Sequence, residues 1–177
     1  MVDATTTSAL AGHLKAGVFG AAETEDDAGV TIAEVRDQTL IHVAGPSDGV
    51  AAAGEARVLR LGPDQWLIKA ARDMAGDLAS SLAATHPEAA VNDVTFGRTT
   101  LRLAGPHARD VLAAGCPLDL HESAFAPGQS ASLLGHLQVV IECLETESFD
   151  ITVTRSYGLD LLEWLRRAAA EYGFKEI

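Results

Sequence analysis

Residues 98–125 contain a predicted strand, a tight turn and a short helix, and this unit constrains the fold more than any other stretch. Apolar and polar side chains alternate through residues 99–104, with Leu101 and Leu103 on one face, as they do in a half-buried strand. Gly105-Pro106 ends the strand, because the fixed φ of proline suits the first helical turn and its missing N–H would have no partner there. The unit therefore predicts α and β structure in direct succession.

The helix predicted after this turn has Ala108, Val111 and Leu112 at the i, i+3, i+4 spacing of one face, and Gly115 followed by Cys116-Pro117 ends it. A strand that enters a helix through Gly-Pro can present backbone amides to an anion. Phosphate-binding loops need several glycines, however, and this turn has one. We interpret the turn as structural.

The rest of the chain predicts an α+β fold with two similar lobes, each an antiparallel sheet covered by helices. Two strands or one bent strand fit residues 30–44, with a turn at Asp37-Gln38. Further strands are predicted at residues 56–61, 65–70, 131–134, 137–144 and 149–153.

Three more helices are predicted besides the one after Gly105-Pro106. A brief helix is expected at residues 50–53, and a longer one, capped by Asp73, runs from Met74 to His86-Pro87. The last helix has the clearest amphipathic pattern. Its apolar face is formed by Leu161, Leu162, Leu165, Ala168, Ala169 and Tyr172.

A weak internal repeat relates the two halves of the chain, because two motifs recur in the same order. The first is Thr-Leu leading into Ala-Gly-Pro, at residues 39–46 and again at residues 100–106. The second is a short strand before a long helix, at residues 65–68 and 149–152. The repeat supports the prediction of two similar lobes.

We expect a single domain at residues 30–177, with one lobe at about 30–90 and the other at 91–177. Residues 1–29 form an N-terminal extension with few large apolar side chains, which cannot bury much surface by itself. The extension is expected to lie across the body of the protein or across a partner.

The charge and the apolar pattern exclude two classes of partner. The formal net charge is -12, which would repel a phosphate backbone. No apolar run approaches the roughly 20 residues that cross a bilayer. Cys116 and Cys143 provide no disulfide framework, and the first residues lack the basic and apolar regions of a signal peptide. We expect a cytoplasmic protein that binds neither nucleic acid nor membrane.

Two groups of charged side chains are candidate binding sites. The acidic run at residues 23–27 is predicted to be a solvated loop, because it lacks the glycine and the distant glutamate of a calcium loop. Arg98, Arg102 and Arg109 could together hold an anionic ligand, but surface or interface salt bridges explain them as well.

Cys116 and His121 are the one pair that could act in nucleophilic catalysis, since a thiol near an imidazole is the minimum for it. Nothing in the sequence orients the imidazole, and a free cysteine among apolar neighbours is typically buried. Adding His107 gives at most three zinc ligands at irregular spacing. No dinucleotide or phosphate-loop motif is present. The sequence therefore predicts no catalytic, cofactor-binding or metal-binding residue in this chain.

Several motifs resemble the gamma subunit of heterotetrameric sarcosine oxidase. The most specific is Gly-Cys-Pro-Leu-Asp-Leu-His at residues 115–121, and the similarity runs from about residue 30 to 172. One departure lies at residues 93–98, where the family often has Ser-His after the aspartate. The other matching stretches are residues 61–67, 98–108, 124–128, 155–156 and 162–165.

The resemblance implies a complex that oxidatively demethylates N-methylglycine to glycine, with hydrogen peroxide and with formaldehyde or methylenetetrahydrofolate as the other products. FAD, FMN, NAD, zinc and tetrahydrofolate would be held by other subunits. The gamma subunit resembles a shortened folate-binding aminomethyltransferase and is expected to contact the alpha, beta and delta subunits, chiefly the large alpha subunit.

The role implied for this chain is structural, in assembly of the complex. Trp66, Phe125 and Trp164 would then be core or interface anchors. Two alternatives stay open: a stand-alone folate-dependent one-carbon (aminomethyl) transferase, and an interaction subunit of another N-methyl amine demethylase.

Overall fold

The computed structural model describes residues 8–46, 50 and 55–177 and builds them into two sheets with helices on their faces. The strands are, in chain order, β1 (Gly17–Phe19), β2 (Val30–Glu34), β3 (Gln38–Ala44), β4 (Arg57–Gly62), β5 (Gln65–Ala71), β6 (Ala90–Asp93), β7 (Arg98–Ala104), β8 (Gly128–Leu134), β9 (Leu137–Glu145), β10 (Ser148–Thr154) and β11 (Phe174–Glu176). The helices are α1 (Ala75–Thr85), α2 (Ala108–Ala113) and α3 (Gly158–Ala169). Short 3-10 turns lie at Arg72–Met74, Thr95–Gly97 and Arg155–Tyr157.

The larger sheet has the strand order β1-β11-β2-β7-β10-β9-β8, and the smaller has the order β4-β5-β3-β6. All pairs are antiparallel except β11 with β2, which is parallel. The structure confirms the predicted α+β fold of antiparallel sheets covered by helices. The turn at Asp37 separates two strands that belong to different sheets.

The two halves of the chain repeat one arrangement. β3 pairs with β5 in the first half as β7 pairs with β10 in the second, and each pair leads through a 3-10 turn into a long helix. The burial pattern along β3 is the same as that along β7. The repeated motifs of the sequence therefore mark equivalent strands, but the structure shifts the Thr-Leu match and the short-strand match by one residue: Leu40 corresponds to Thr100 rather than Leu101, and Trp66 to Phe149 rather than Asp150.

The halves also exchange strands. β2, which precedes β3 in the chain, pairs with β7, while β6, which precedes β7, pairs with β3. Matching hydrogen bonds extend the exchange, from Val35 N to Thr100 O and from Val94 N to Leu40 O, both 2.9 Å. Because the two halves are interlocked in this way, the division of the chain at about residue 90 stays a prediction.

Each sheet buries its apolar face under a helix. α3 places Leu161, Leu162 and Leu165 fully out of solvent against the larger sheet, while α1 places Leu78 and Leu82 against the smaller one. Such apolar burial is the main favourable contribution to folding. The larger core is the more extensive of the two, since α2 and the β8–β9 hairpin add to it.

Two details of the helix predictions are wrong. Asp73 does not cap α1, because it lies within the 3-10 turn that precedes the helix, and no side chain caps the N-terminus. The last helix ends at Ala169, so Tyr172 lies beyond it and stacks on His107. Of the brief helix expected at residues 50–53, residues 51–53 lie outside the described residues.

The described part of the N-terminal extension lies across the body of the protein. Leu10 is buried in the larger core, and β1 pairs with β11 at the edge of the sheet. The backbone N–H of Lys15 donates to the Glu176 carboxylate over 2.9 Å, and Arg166 donates to the carbonyl of His13 over 2.7 Å. These contacts fasten the segment to β11 and α3.

Candidate functional site

A buried lysine joins the two sheets. Lys69 lies in the apolar strand β5, and its side chain is 1% exposed. Its Nζ lies 2.9 Å from Oε2 of Glu142 on β9 and 3.2 Å from Oδ2 of Asp150 on β10. Because a buried charge is costly unless it is paired, these contacts explain how a lysine can occupy this position.

Two arginines complete the inter-sheet ionic cluster, which consists of Arg57, Lys69, Arg102, Glu142 and Asp150. Arg102 lies opposite Asp150 in the β7–β10 register and binds both carboxylate oxygens, at 2.8 and 3.2 Å. Arg57 lies opposite Lys69 in the β4–β5 register, and its Nε is 2.7 Å from Oε1 of Glu142. Three cations therefore share two carboxylates.

The electrostatics of the cluster keep Asp150 ionised. Burial by itself would raise the pKa of this carboxyl, but hydrogen bonds and positive charge from Arg102 and Lys69 outweigh burial and hold the pKa below its ordinary value. The hydrogen bond to Asp150 in turn raises the pKa of Arg102. A carboxylate that is ionised and accepts hydrogen bonds from two cations is a poor proton donor at neutral pH. The arrangement therefore favours a structural role, in which the cluster holds the sheets together, over acid catalysis.

The sequence analysis missed Lys69, Glu142 and Asp150. Each lies at a buried position of a strand whose neighbours are apolar, as in Phe149-Asp150-Ile151. Charged residues at buried strand positions are a usable signal, because they need partners inside the protein. The sequence does not show, however, which strands face one another across the sheets.

Cys116 and His121 line the same cavity, of about 510 Å³, but have different hydrogen-bond partners. The Cys116 thiol is buried and lies 3.7 Å from the hydroxyl of Ser132. The His121 ring is exposed, and its Nδ1 lies 2.8 Å from the hydroxyl of Ser123. A structural role for this thiol stays a prediction.

His107 and the acidic run also have local partners. His107 Nδ1 lies 2.9 Å from Asp110, and its ring stacks on Tyr172 with centroids 4.6 Å apart. In the acidic run, which is exposed, Glu25 pairs with Lys175 at 2.5 Å. Within residues 8–46, 50 and 55–177 no group of three or more His, Cys, Asp or Glu is placed to hold a metal ion.

The three arginines considered for an anionic ligand have separate roles. Arg98 donates to the Thr154 hydroxyl over 3.4 Å, and Arg102 belongs to the inter-sheet ionic cluster. Arg109 donates to backbone carbonyls, among them that of Phe125 at 3.1 Å. It thereby fixes the segment that follows α2.

The three predicted anchors differ in burial. Trp66 is buried in the smaller core. Phe125 is partly buried, with its ring centroid 6.5 Å from that of Phe149. Trp164 is also partly buried and lies so close to Gly115 that a Cβ there would be 2.5 Å from the indole ring. Trp66 thus lies in a core, and interface roles for Phe125 and Trp164 stay predictions.

The fold and the inter-sheet ionic cluster define a class: an α+β protein of two interlocked halves, whose buried charges are paired across its sheets. None of the helices in the described part of the chain is long and apolar enough to cross a membrane. The model of the sarcosine oxidase, gamma subunit family matches residues 25–171. The chain belongs to this family, which confirms the resemblance.

Curated relatives agree with the family match. The sarcosine oxidase subunit gamma of an Arthrobacter species is 31% identical over 138 residues, which cover 76% of this chain and 64% of the relative. That of Corynebacterium sp. strain P-1 is 30% identical over the same length and coverage. The chain thus spans just under two thirds of the length of these relatives.

Two solved structures resemble the fold. A chain of heterotetrameric sarcosine oxidase from Corynebacterium sp. U-96, in complex with pyrrole 2-carboxylate, aligns with a TM-score of 0.73 and 26% identity, over 82% of this chain and 86% of that one. Glycine cleavage system aminomethyltransferase T from Bartonella henselae aligns with a TM-score of 0.61 and 18% identity, over 85% of this chain and 48% of that one. The second likeness shows the fold alone and agrees with the aminomethyltransferase-like fold expected from the sequence.

Proposed function

We propose that this chain is the gamma subunit of a sarcosine oxidase complex, with a structural role in assembly and no catalytic residue of its own. The observation that carries the proposal, beside family membership, is the inter-sheet ionic cluster. The buried Nζ of Lys69 lies 2.9 Å from the Glu142 carboxylate and 3.2 Å from the Asp150 carboxylate, and these contacts join the smaller sheet to the larger. Groups paired in this way support the fold rather than a reaction.

The proposed complex demethylates N-methylglycine to glycine. Oxygen accepts the electrons and becomes hydrogen peroxide, and the methyl carbon leaves as formaldehyde or is captured as methylenetetrahydrofolate. In this proposal FAD, FMN, NAD, zinc and tetrahydrofolate are held by other subunits. The likeness to a chain of a heterotetrameric sarcosine oxidase supports contacts with alpha, beta and delta subunits, chiefly with alpha. The proposed location is the cytoplasm.

The proposed arrangement of the chain follows the sequence analysis. Residues 30–177 form one domain of two lobes, and residues 1–29 form an extension whose described part, residues 8–29, fastens to it. The halves exchange the strands β2 and β6, and each sheet is incomplete without a strand from the other half. This exchange supports treating the lobes as one folding unit.

Affinity purification of the tagged chain from its native host tests this function. The expected eluate contains several chains, shows a flavin absorption spectrum and consumes oxygen with sarcosine. The same eluate should be inactive with N-methylethylamine, which lacks the carboxylate, and the tag alone is the control for adventitious flavoproteins.

A colourless chain that elutes alone would contradict the proposal. If that chain retained a folate, the stand-alone transferase would become the better explanation. A flavoprotein partner that oxidises a different N-methyl amine would instead support the other alternative, an interaction subunit of another demethylase.

A further inference from the structure

Four arginines from separate segments converge on one shallow cavity. Arg36 follows β2, Arg72 and Arg155 begin the 3-10 turns after β5 and β10, and Arg98 begins β7. They line a cavity of about 60 Å³ together with Phe96, and Glu34 is the one acidic residue among the described residues that line it. We call these four arginines and Phe96 the arginine pocket.

The repeat explains why the arginine pocket forms. Arg72 and Arg155 occupy the same position in the two halves, as the first residue of the turn that leads into α1 or α3. The strand exchange brings the two turns to one place. Four of the chain's 13 lysines and arginines therefore line one cavity, in a protein whose net charge is -12.

Among the described residues, the hydrogen bonds and ion pairs of three of these guanidinium groups use only some of their N–H donors. Arg36 lies 3.7 Å from Glu34, whose carboxylate also accepts hydrogen bonds from Ser8. Arg72 donates to the carbonyl of Arg36 over 2.8 Å, and Arg98 donates to Thr154 over 3.4 Å. Since each guanidinium has five N–H donors, the pocket can bind further oxygen atoms.

The size of the cavity indicates which kind of group it can bind. Pockets for small-molecule substrates usually enclose about 300–1,000 Å³, whereas this one has space for about one carboxylate group. Arginine binds carboxylates in a bidentate manner. Phe96, which lines the cavity, is 51% exposed, and Arg72 lies 5.3 Å from the centre of its ring. Tyr157, in the same turn as Arg155, is also 51% exposed. Arginine and aromatic residues are typical of the centres of protein interfaces.

We propose that the arginine pocket docks an acidic segment of a partner polypeptide, with one aspartate or glutamate side chain entering the cavity. The inference rests on the proposed function, since the partner is another subunit of the complex. The overall negative charge does not prevent it, because exposed charges beyond about 10 Å are largely screened at physiological salt, and the local arginines dominate at contact.

The test compares two double variants of the tagged chain that change the charge equally. Arg36→Glu/Arg72→Glu alters the pocket, whereas Lys15→Glu/Arg167→Glu alters exposed positions outside its lining. Co-purifying subunits per tagged chain are measured by native mass spectrometry, after far-UV circular dichroism has shown that each variant is folded. We expect the pocket variant to bind its partner about tenfold more weakly than wild type and the control variant to bind as wild type does.

Salt adds a second readout. The difference between pocket variant and wild type should shrink between about 0.05 M and about 0.5 M sodium chloride, because screening removes the charge effect. If the glutamate variant does not fold, Arg36→Gln/Arg72→Gln is measured in its place, with Lys15→Gln/Arg167→Gln as its control and a smaller loss expected.

The acidic partner can also be located directly. Arg72→Lys keeps the charge and supplies an amine, so carbodiimide coupling should join this residue to an aspartate or glutamate of another subunit. Cross-links only to carboxylates of this chain would overturn the inference.

The remaining outcomes separate the inference from the proposed function. Wild-type recruitment by the pocket variant would overturn the inference and leave the function intact, and so would an equal loss in both double variants. A wild-type chain that recruits no subunit would overturn both.

Discussion

The first half of the molecule (residues 38–93) and the second (residues 98–176) share a backbone arrangement but have different side chains at matching positions. The pair Leu40 and Lys69 in the β3–β5 register corresponds to Thr100 and Thr152 in the β7–β10 register. The two threonine hydroxyls hydrogen-bond to each other at 2.9 Å within their own sheet. Lys69 instead extends across to the other sheet.

A second pair of matching positions shows the same asymmetry. His42 and Leu67 lie opposite each other in the first half, where the second half has Arg102 and Asp150. The buried carboxylates thus belong to the larger sheet and the buried lysine to the smaller one. Two halves with similar backbones could pack their sheets against each other in several orientations. The unequal charges favour the orientation in which every buried charge is paired.

Among the variants that test this asymmetry, substitution of Lys69 should cause the largest loss of stability. Lys69→Met leaves two buried carboxylates with fewer partners and should lower the free energy of unfolding by about 3 kcal/mol. The loss is limited to this size because each carboxylate keeps one arginine partner. Thr152→Val, at the matching position, should cost about 1 kcal/mol because it removes a neutral hydrogen bond. Urea unfolding of both variants measures the difference, and equal losses would contradict the asymmetry.

Two glycines test the equivalence of the halves instead. Gly45 and Gly105 have φ values of +143° and +131°, and an added Cβ would lie 2.9 Å from the Ala89 backbone or 2.6 Å from the Gly29 carbonyl oxygen. Each substitution by alanine should therefore cost about 1–3 kcal/mol, with the greater loss at Gly105.

Thermal unfolding of the two variants measures these losses. Gly76→Ala is the control, since its added Cβ meets nothing within 4 Å. A loss at one of the two positions only would break the equivalence.

The pH dependence should differ between the halves because Asp150 has an apolar counterpart in Leu67. The pKa of Asp150 is lower in the folded state than the ordinary value of about 3.9 in the unfolded chain. Its contribution to stability is therefore present above that value and is lost as the pH falls through the folded pKa.

Urea unfolding between about pH 6 and about pH 3 measures this contribution. Wild type should lose more stability on acidification than Asp150→Asn does. Parallel curves for the two proteins would show that the folded-state pKa is not depressed.

The smallest effect is expected at Cys116, in the connection between β7 and β8, which is longer than the connection between β3 and β4 in the first half. Cys116→Ser should leave the turnover of the assembled complex nearly unchanged, because the thiol lies 3.7 Å from the Ser132 hydroxyl and a serine hydroxyl can make the same contact. Oxygen uptake with sarcosine measures it. A lower rate in a complex with full flavin content would contradict a structural role for Cys116.

The sequence predicts the local elements well because their signals are local. The alternation in residues 99–104 and the apolar stripe around Leu161 both correspond to observed elements. The strand exchange was not predicted, since the choice of β7 rather than β3 as a partner for β2 depends on contacts distant in sequence. Short strands such as β11, at Phe174–Glu176, carry too few residues for a periodic pattern.

The candidate site shows the same limit. Lys69 lies in a stretch that the sequence predicts as an apolar strand, and its charge gains meaning only from Glu142 and Asp150 on two other strands. The arginine pocket likewise depends on turns from both halves. Residues that act through contacts between halves are therefore the part that sequence patterns leave undetermined.

The most direct test of the structural role is the turnover per flavin of the complex assembled with Lys69→Met. We expect a lower unfolding temperature for this subunit, with oxygen uptake per flavin equal to that of the wild-type complex. A fall in turnover per flavin in complexes that are fully assembled, at a temperature where the variant stays folded, would contradict it and assign the buried lysine a part in the reaction.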